Sequence, residues 1–321
     1  MPKFVFLPPQ TETTRSWAAT LAQKVPAFEV VVAESPEDAR QQIADADAAF
    51  GTLPADVLRQ AGQLKWLQAP AIAPPAGFYY PELIAHPVIV TNQRGIFNEH
   101  IAAHIMAFVL ALARGFQRYI PRQIRHEWAP DRLDAGVVHL PESTALIVGV
   151  GGIGAETATK CAAFGMRVIG LDARQHDAPP GVVELYTPDH LDDLLPRADF
   201  VILTIPHTPE TEGLMNAARF AKMKPTAFFI NIGRGKTTRL HDLVEALQSG
   251  RIAGAGLDVY EEEPLPADHP LWDAPNVLLT PHTAGFGPYL DDRRLAILLD
   301  NGQRFVRGEP LVNVVDKAVW F

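Results

Sequence analysis

Apolar and polar positions fall into short blocks whose period switches repeatedly between strand and helix. Over residues 1–90, the runs Phe4-Val5-Phe6-Leu7, Val30-Val31-Val32, Ala48-Ala49-Phe50, Trp66-Leu67 and Val88-Ile89-Val90 read as strands. Residues 14–24, 36–44 and 54–61 carry helical patterns between them. Alternation at this pace predicts a parallel sheet with helices on both faces. Residues 98–114 then hold apolar positions at helical spacing, and residues 117–134 read as an irregular, charged and aromatic arm. A second βα series runs from Ala145 to Pro281. Its strands are Ala145-Leu146-Ile147-Val148, Met166-Arg167-Val168-Ile169-Gly170-Leu171, Phe200-Val201-Ile202-Leu203-Thr204, Ala227-Phe228-Phe229-Ile230, residues 252–259 and Val277-Leu278-Leu279. A last helix, 289–307, comes after this series has ended. The economical arrangement packs it back on the first domain. The expected fold is therefore α/β with two doubly wound parallel-sheet domains: a discontinuous one, 1–96 with 287–321, around an inserted one, 97–286.

One junction in the second series carries candidate chemistry. The strand ending at Val148 runs straight into Gly149-Val150-Gly151-Gly152-Ile153-Gly154, and a helix follows, with Gly165 as its C-cap. The next strand ends in Asp172, about 20 positions past the last loop glycine. Glycines there suit a tight turn, close backbone approach to a pyrophosphate and tight helix packing, and the helix N-terminus offers amide donors. A lone G-x-G-x-x-G is weak evidence, and a purely structural β–α turn is the alternative. With strand, helix, second strand and terminal acid in register, the reading is dinucleotide binding. Asp172 is then placed to accept hydrogen bonds from the adenosine ribose hydroxyls, which favours NAD; Arg174 leaves NADP possible.

Composition narrows the partners. The chain has 321 residues, 47% hydrophobic and 20% charged, with 28 basic against 37 acidic residues and a net charge of −9. No run of Lys or Arg interrupts it, so neither nucleic acid nor an anionic membrane surface is an expected partner. The apolar stretch Ala107-Phe108-Val109-Leu110-Ala111-Leu112, bracketed by His104 and Arg114, is too short to span a bilayer. The single cysteine, Cys161, reads as a small packing residue. One cysteine and no recognisable signal peptide fit a cytoplasmic setting.

Three polar clusters sit at or just beyond the carboxyl ends of later strands, where open α/β sheets bind ligands. They are Asn231-Ile232-Gly233-Arg234-Gly235, Asp258-Val259-Tyr260-Glu261-Glu262-Glu263-Pro264 and Pro281-His282-Thr283-Ala284-Gly285. An arginine, acids and a histidine at one sheet edge suit the oxidation of an alcohol beside a carboxylate. Arginine clamps a planar carboxylate, and histidine carries a proton near neutral pH.

With these residues in view, the chain resembles the D-isomer-specific 2-hydroxyacid dehydrogenases over nearly its whole length. The resemblance rests on the 149–154 loop with Asp172, on Leu203-Thr204-Ile205-Pro206-His207-Thr208-Pro209-Glu210-Thr211, and on the segments 231–235, 256–264 and 280–285. It implies a Rossmann-type nucleotide domain inserted in a flavodoxin-like substrate domain. It further implies hydride transfer between NAD(H) and C2 of a small D-2-hydroxy or 2-oxo acid. Arg234 would hold the substrate carboxylate and carbonyl, His282 would be the acid/base, and Glu263 would pair with it. Asp258 would meet the nicotinamide side, while Thr204, Ile205 and Ile232 would line the cofactor cleft. Two alternatives stay open: an NADPH-preferring glyoxylate/hydroxypyruvate reductase, and a non-catalytic dinucleotide-sensing protein.

The chain departs from the family at Gln68-Ala69-Pro70-Ala71-Ile72-Ala73-Pro74-Pro75-Ala76-Gly77, where relatives carry a glycine-rich turn whose amides bind the substrate carboxylate. Proline has no amide hydrogen, which leaves Ala71, Ile72 and Ala73 as donors. Glu261 and Glu262 read as solvated acids. His100 and His104 stand four apart on one helix, but the glutamate of a zinc-protease motif is missing, so no metal site is expected and packing or a subunit interface is the reading. Phe116, Tyr119, Ile120 and Trp128 are expected to meet a second copy in a homodimer. Trp128 either reaches the partner's active site or packs within its own arm.

Overall fold

A computed structural model describes residues 1–72, 77–131 and 136–318. The chain forms two compact units, 1–96 with 288–321 and 97–287. In the first, strands β1 (Lys3–Phe6), β2 (Glu29–Val32), β3 (Ala48–Phe50), β4 (Trp66–Gln68) and β5 (Ile89–Thr91) pair in parallel in the order β2-β1-β3-β4-β5. That is the flavodoxin-like doubly wound order. Helices α1 (Glu12–Lys24), α2 (Pro36–Gln42), α3 (Ala55–Leu58) and α4 (Pro81–Ala85) connect the strands. Side chains alternate across the sheet as the strand period of two demands. Phe4 and Phe6 enter one core cluster, Val5 and Leu7 the other.

The second unit begins with α5 (Asn98–Ala113) and α6 (Phe116–Ile124). Its strands are β6 (Thr144–Val148), β7 (Arg167–Leu171), β8 (Glu184–Tyr186), β9 (Phe200–Leu203), β10 (Phe228–Asn231), β11 (Gly254–Leu257) and β12 (Val277–Leu279). They form one parallel sheet, β12-β11-β10-β9-β6-β7-β8, which reverses direction of growth between β6 and β9. The flanking helices are α7 (Gly152–Ala163), α8 (Leu191–Leu194), α9 (Ala217–Phe220) and α10 (Leu240–Gln248). Leu146 and Val148 face one buried layer, Ala145 and Ile147 the other. Burial on both faces explains why these strands read as unbroken apolar runs. The final helix, α11 (Leu290–Arg307), belongs to the first unit, where Phe305 stacks on Phe28 with ring centroids 5.7 Å apart.

Two expectations need correction. The arm after α5 is not irregular throughout, because Gly115 (φ +75) turns the chain and α6 follows it. Phe116, Ile120 and Ile124 lie on one face of α6, four residues apart, and all three are exposed. Strand β8 was not expected: it is a three-residue sheet edge with polar and aromatic residues at its ends. Among the described residues no single helix is long and apolar enough to cross a membrane.

Candidate active site

The carboxyl edge of the seven-stranded sheet gathers the candidate residues. At the switch point, β6 reaches α7 through a short loop. Gly149 adopts φ +94, a region L-residues rarely enter, and its N–H donates to the Leu171 carbonyl at 2.7 Å. A Cβ on Gly154 would overlap the Gly149 carbonyl, so only glycine lets α7 descend this close to the loop. Thr204 Oγ1 donates to that same carbonyl at 2.5 Å, and Ile205 packs over Gly149. Among the described residues nothing lies within 4 Å of the Cβ position at Gly151, and no side chain caps α7. Uncapped amides at a helix N-terminus, beside open space, fit the pyrophosphate of a dinucleotide. Gly151, Gly152, Ile153 and Gly154 would hold it.

Asp172 lies at the end of β7, but its carboxylate is already engaged. Oδ2 accepts the Val150 N–H at 2.9 Å; Oδ1 accepts those of Arg174 (2.8 Å) and Gln175 (3.1 Å). The acid thus ties the glycine loop to the loop after β7, a role the sequence did not disclose.

The candidate residues Arg234, Glu263 and His282 follow β10, β11 and β12, which are hydrogen-bonded neighbours. After β10, buried Asn231 accepts the Gly233 N–H on Oδ1 (3.0 Å). Its Nδ2 donates to the Arg234 carbonyl (3.2 Å) and to Thr238 Oγ1 (3.0 Å). These bonds fold the backbone around exposed Arg234, whose guanidinium donates to the Gly233 carbonyl at 2.7 Å. Ile232 is buried beside it. After β11, Asp258 is only 2% exposed and accepts Thr280 Oγ1 (2.6 Å), the Thr283 N–H (2.8 Å) and the Ala284 N–H (2.9 Å). It therefore splints the chain on both sides of His282. His282 itself has φ +54, and its Nδ1 meets Glu263 Oε2 at 2.6 Å. A carboxylate can only accept, so Nδ1 carries the hydrogen and Nε2 is left to exchange a proton.

Other sequence readings fare differently. Glu261 is not simply solvated: its Oε2 accepts the Leu240 N–H at 2.7 Å and so caps the start of α10. Ala71 and Ile72 belong to the loop after β4 in the first unit, where the Ile72 carbonyl accepts Asn92 Nδ2; Ala73 lies outside the described residues. His104 is more than helix packing. Its Nε2 lies 2.9 Å from Thr280 Oγ1, which itself donates to Asp258, so His104 is the donor. Burial lowers the His104 pKa against the raising effect of Asp258, which favours this neutral form. His100 packs against Gly287. Cys161 is fully buried beside Met106, and desolvation pushes its thiol up to about 12. Trp128 is 99% exposed, so it does not pack within its own arm.

Comparison with known proteins shows the family. The family model for the NAD binding domain of D-isomer specific 2-hydroxyacid dehydrogenases matches residues 106–284. Glyoxylate/hydroxypyruvate reductase B of Citrobacter koseri is 39% identical over 244 residues, 74% of this chain and 74% of its own length. Glyoxylate reductase of Korarchaeum cryptofilum is 36% identical over 237 residues, 72% of this chain and 70% of its own. A D-isomer specific 2-hydroxyacid dehydrogenase from Xanthobacter autotrophicus Py2, solved in complex with NADPH and MES, superposes with TM-score 0.81 at 28% identity. That alignment covers 100% of this chain and 99% of the other. The NADPH-dependent glyoxylate/hydroxypyruvate reductase of Sinorhizobium meliloti, solved with NADP and sulfate, gives TM-score 0.77 at 31% identity, covering 100% and 99%. The chain belongs to the D-isomer-specific 2-hydroxyacid dehydrogenases, oxidoreductases that act between a nicotinamide dinucleotide and C2 of a small 2-oxo or 2-hydroxy acid.

Proposed function

We propose that this protein reduces 2-oxo acids of glyoxylate and hydroxypyruvate size to D-2-hydroxy acids, with His282 as proton donor and Arg234 as carboxylate clamp. The observation that carries this reading is the 2.6 Å contact between His282 Nδ1 and Glu263 Oε2. The bound dinucleotide supplies the hydride. Protonated His282 gives the Nε2 proton to the carbonyl oxygen of the substrate, while Glu263 holds the ring in one orientation and balances its charge. Arg234 binds the substrate carboxylate and steadies the charge growing on the carbonyl oxygen. Asp258, which splints the chain on both sides of His282, would stand at the nicotinamide end. The 97–287 unit is the nucleotide domain and the other unit the substrate domain.

Both NADH and NADPH fit this reading. Asp172 spends its carboxylate on three backbone amides, which weakens its claim on the ribose, and Arg174 stands two positions on as a partner for a 2′-phosphate. The bound NADPH and NADP of the structural neighbours point the same way. A dinucleotide sensor would have no use for a histidine–carboxylate pair. Exposed Phe116, Ile120, Ile124 and Trp128 support a homodimer, and the lone buried thiol suits the cytoplasm. Loss of nicotinamide absorbance with a panel of 2-oxo acids, each offered with NADH and with NADPH, tests the function. No turnover on any of them would overturn it.

A further inference from the structure

Tyr260 joins all three segments that carry Arg234, Glu263 and His282. Its backbone N–H donates to Glu263 Oε1 at 2.9 Å, leaving Oε2 for His282 Nδ1. Its phenol donates to the Thr280 carbonyl at 2.9 Å, the same carbonyl that accepts the His282 N–H at 3.1 Å. Its own carbonyl backs onto Gly235, where a Cβ would overlap it, so the chain leaving Arg234 passes in backbone contact. The residue is buried, and desolvation, with the charges of Asp258 and Glu263 adding, keeps the phenol protonated and able to donate.

A non-glycine residue at positive φ persists only where its surroundings over-determine it. His282 is such a residue, at φ +54. The Thr280 carbonyl is the inner anchor of its turn, and the Tyr260 hydroxyl is the side-chain group that holds that carbonyl from outside the turn. We propose that Tyr260 is the positioning residue of the acid–base pair: its hydroxyl holds the turn at His282 while its N–H holds Glu263, so that imidazole and carboxylate meet in one arrangement. A phenylalanine would fill the same space and Asp258 would still hold Thr280, Thr283 and Ala284, but the Thr280 carbonyl would lose its anchor from outside the turn, and the imidazole would then spend part of its time off Glu263. This rests on the reading of His282 and Glu263 given above.

Tyr260→Phe isolates the hydroxyl. Both carbonyls it touches keep a donor, Thr280 O from the His282 N–H and Leu257 O from the Thr280 N–H, so no buried acceptor is orphaned and the fold should persist. The experiment measures steady-state kinetics with glyoxylate and hydroxypyruvate, NADPH binding by fluorescence, and the ¹⁵N shifts of the His282 ring. The expected result is a kcat lower by about ten- to a hundredfold, the scale of a misplaced catalytic group, with KM and NADPH affinity changed less than about twofold. The His282 ring should shift from the Nδ1–H tautomer to a mixture. In a Glu263→Gln background, Tyr260→Phe should add almost nothing, because both act through one pair. An unchanged kcat with an unchanged ring tautomer overturns the proposal, as does a full additive cost in that background. Full activity in His282→Gln would instead overturn the underlying acid–base reading, whatever Tyr260→Phe does.

Discussion

The carboxylate of Asp172, at the end of one strand, accepts the backbone N–H of Val150, inside the glycine loop that follows the neighbouring strand, at 2.9 Å. Two further amides, of Arg174 and Gln175, close on its other oxygen. An acid used this way shapes the cofactor loop before any ribose arrives. Asp172→Ala should therefore raise KM for NADH and NADPH together, because it frees both loops. Arg174→Ala should raise KM for NADPH alone, by about tenfold if one charge-assisted contact is lost. Steady-state kinetics of both variants with both cofactors distinguish this from a ribose-binding acid, whose loss would penalise NADH only.

The strand-end polar clusters made the edge of the second sheet readable, because parallel strands buried on both faces leave polar residues nowhere else to go. What escaped was whatever depends on pairing distant segments. His104 meets Thr280 across 176 positions of sequence, and nothing in a helix pattern announces a partner that far away. Asn231 looked like the polar end of a strand, yet it shapes the whole Arg234 turn. Helix α6 carried a legible 116–120–124 stripe, but its arginines and Pro121 masked it as a loop.

Replacing His282 with Gln should lower kcat by roughly 10²–10⁴-fold, the range of a general acid–base group. NADPH affinity, measured by fluorescence, should stay near that of the unmodified protein, since the glycine loop is untouched. Glu263→Gln should keep the ring bonded but remove the charge facing it, with a smaller loss of kcat than His282→Gln.

Asn231→Ala should act on Arg234 without touching substrate. It removes the bonds to Gly233 N–H and to the Arg234 carbonyl, and leaves Thr237 and Thr238 with one partner fewer. Burial makes the change costly, on the order of 1–3 kcal/mol of stability. The KM for glyoxylate should rise several-fold while that for the dinucleotide moves little. Equal increases in both would show that the loop, and not the arginine, had failed.

His104 links pH to stability. Burial depresses its pKa below the ordinary histidine value in the folded protein. In the unfolded chain it takes up a proton near pH 6.5, so acidification favours unfolding. The stability it contributes is complete above about pH 6.5 and is lost as pH falls through the folded value. His86, lowered by burial and by Lys317, acts in the same direction. Thermal unfolding at pH 7.5 and 5.5 should show a smaller drop for His104→Gln than for the unmodified protein. An identical drop would remove His104 from the titration.

The arm after α5 should decide the oligomeric state. Asp131 is held by Arg118 at 3.0 Å and by Arg122 at 2.9 Å, and the Arg122 guanidinium lies 5.5 Å from the Tyr119 ring centroid, so the arm is braced from within. That bracing leaves a groove of about 650 Å³ lined by Phe116, Tyr119, Ile120, Trp128 and Pro130, with the Trp128 side chain almost wholly in solvent. Aromatic and aliphatic side chains beside an exposed tryptophan, interspersed with Arg122, Gln123, His126 and Glu127, are costly to leave in water and suit a self-complementary contact about a two-fold axis. The protein should sediment as a dimer at micromolar concentration. Ile120→Glu would set a charge in the middle of the apolar face, where burial without a partner is strongly unfavourable. It should shift the population towards monomer while the circular dichroism spectrum stays that of the folded protein, since Ile120 is already exposed in the single chain. Trp128→Ala separates two roles for the tryptophan. If it only packs in the interface, dimer affinity falls while kcat/KM of the remaining dimer is unchanged. If it also reaches the partner's active site, kcat/KM for glyoxylate falls even at concentrations where sedimentation still reports the dimer. A monomer at micromolar concentration in the unmodified protein would rule out both.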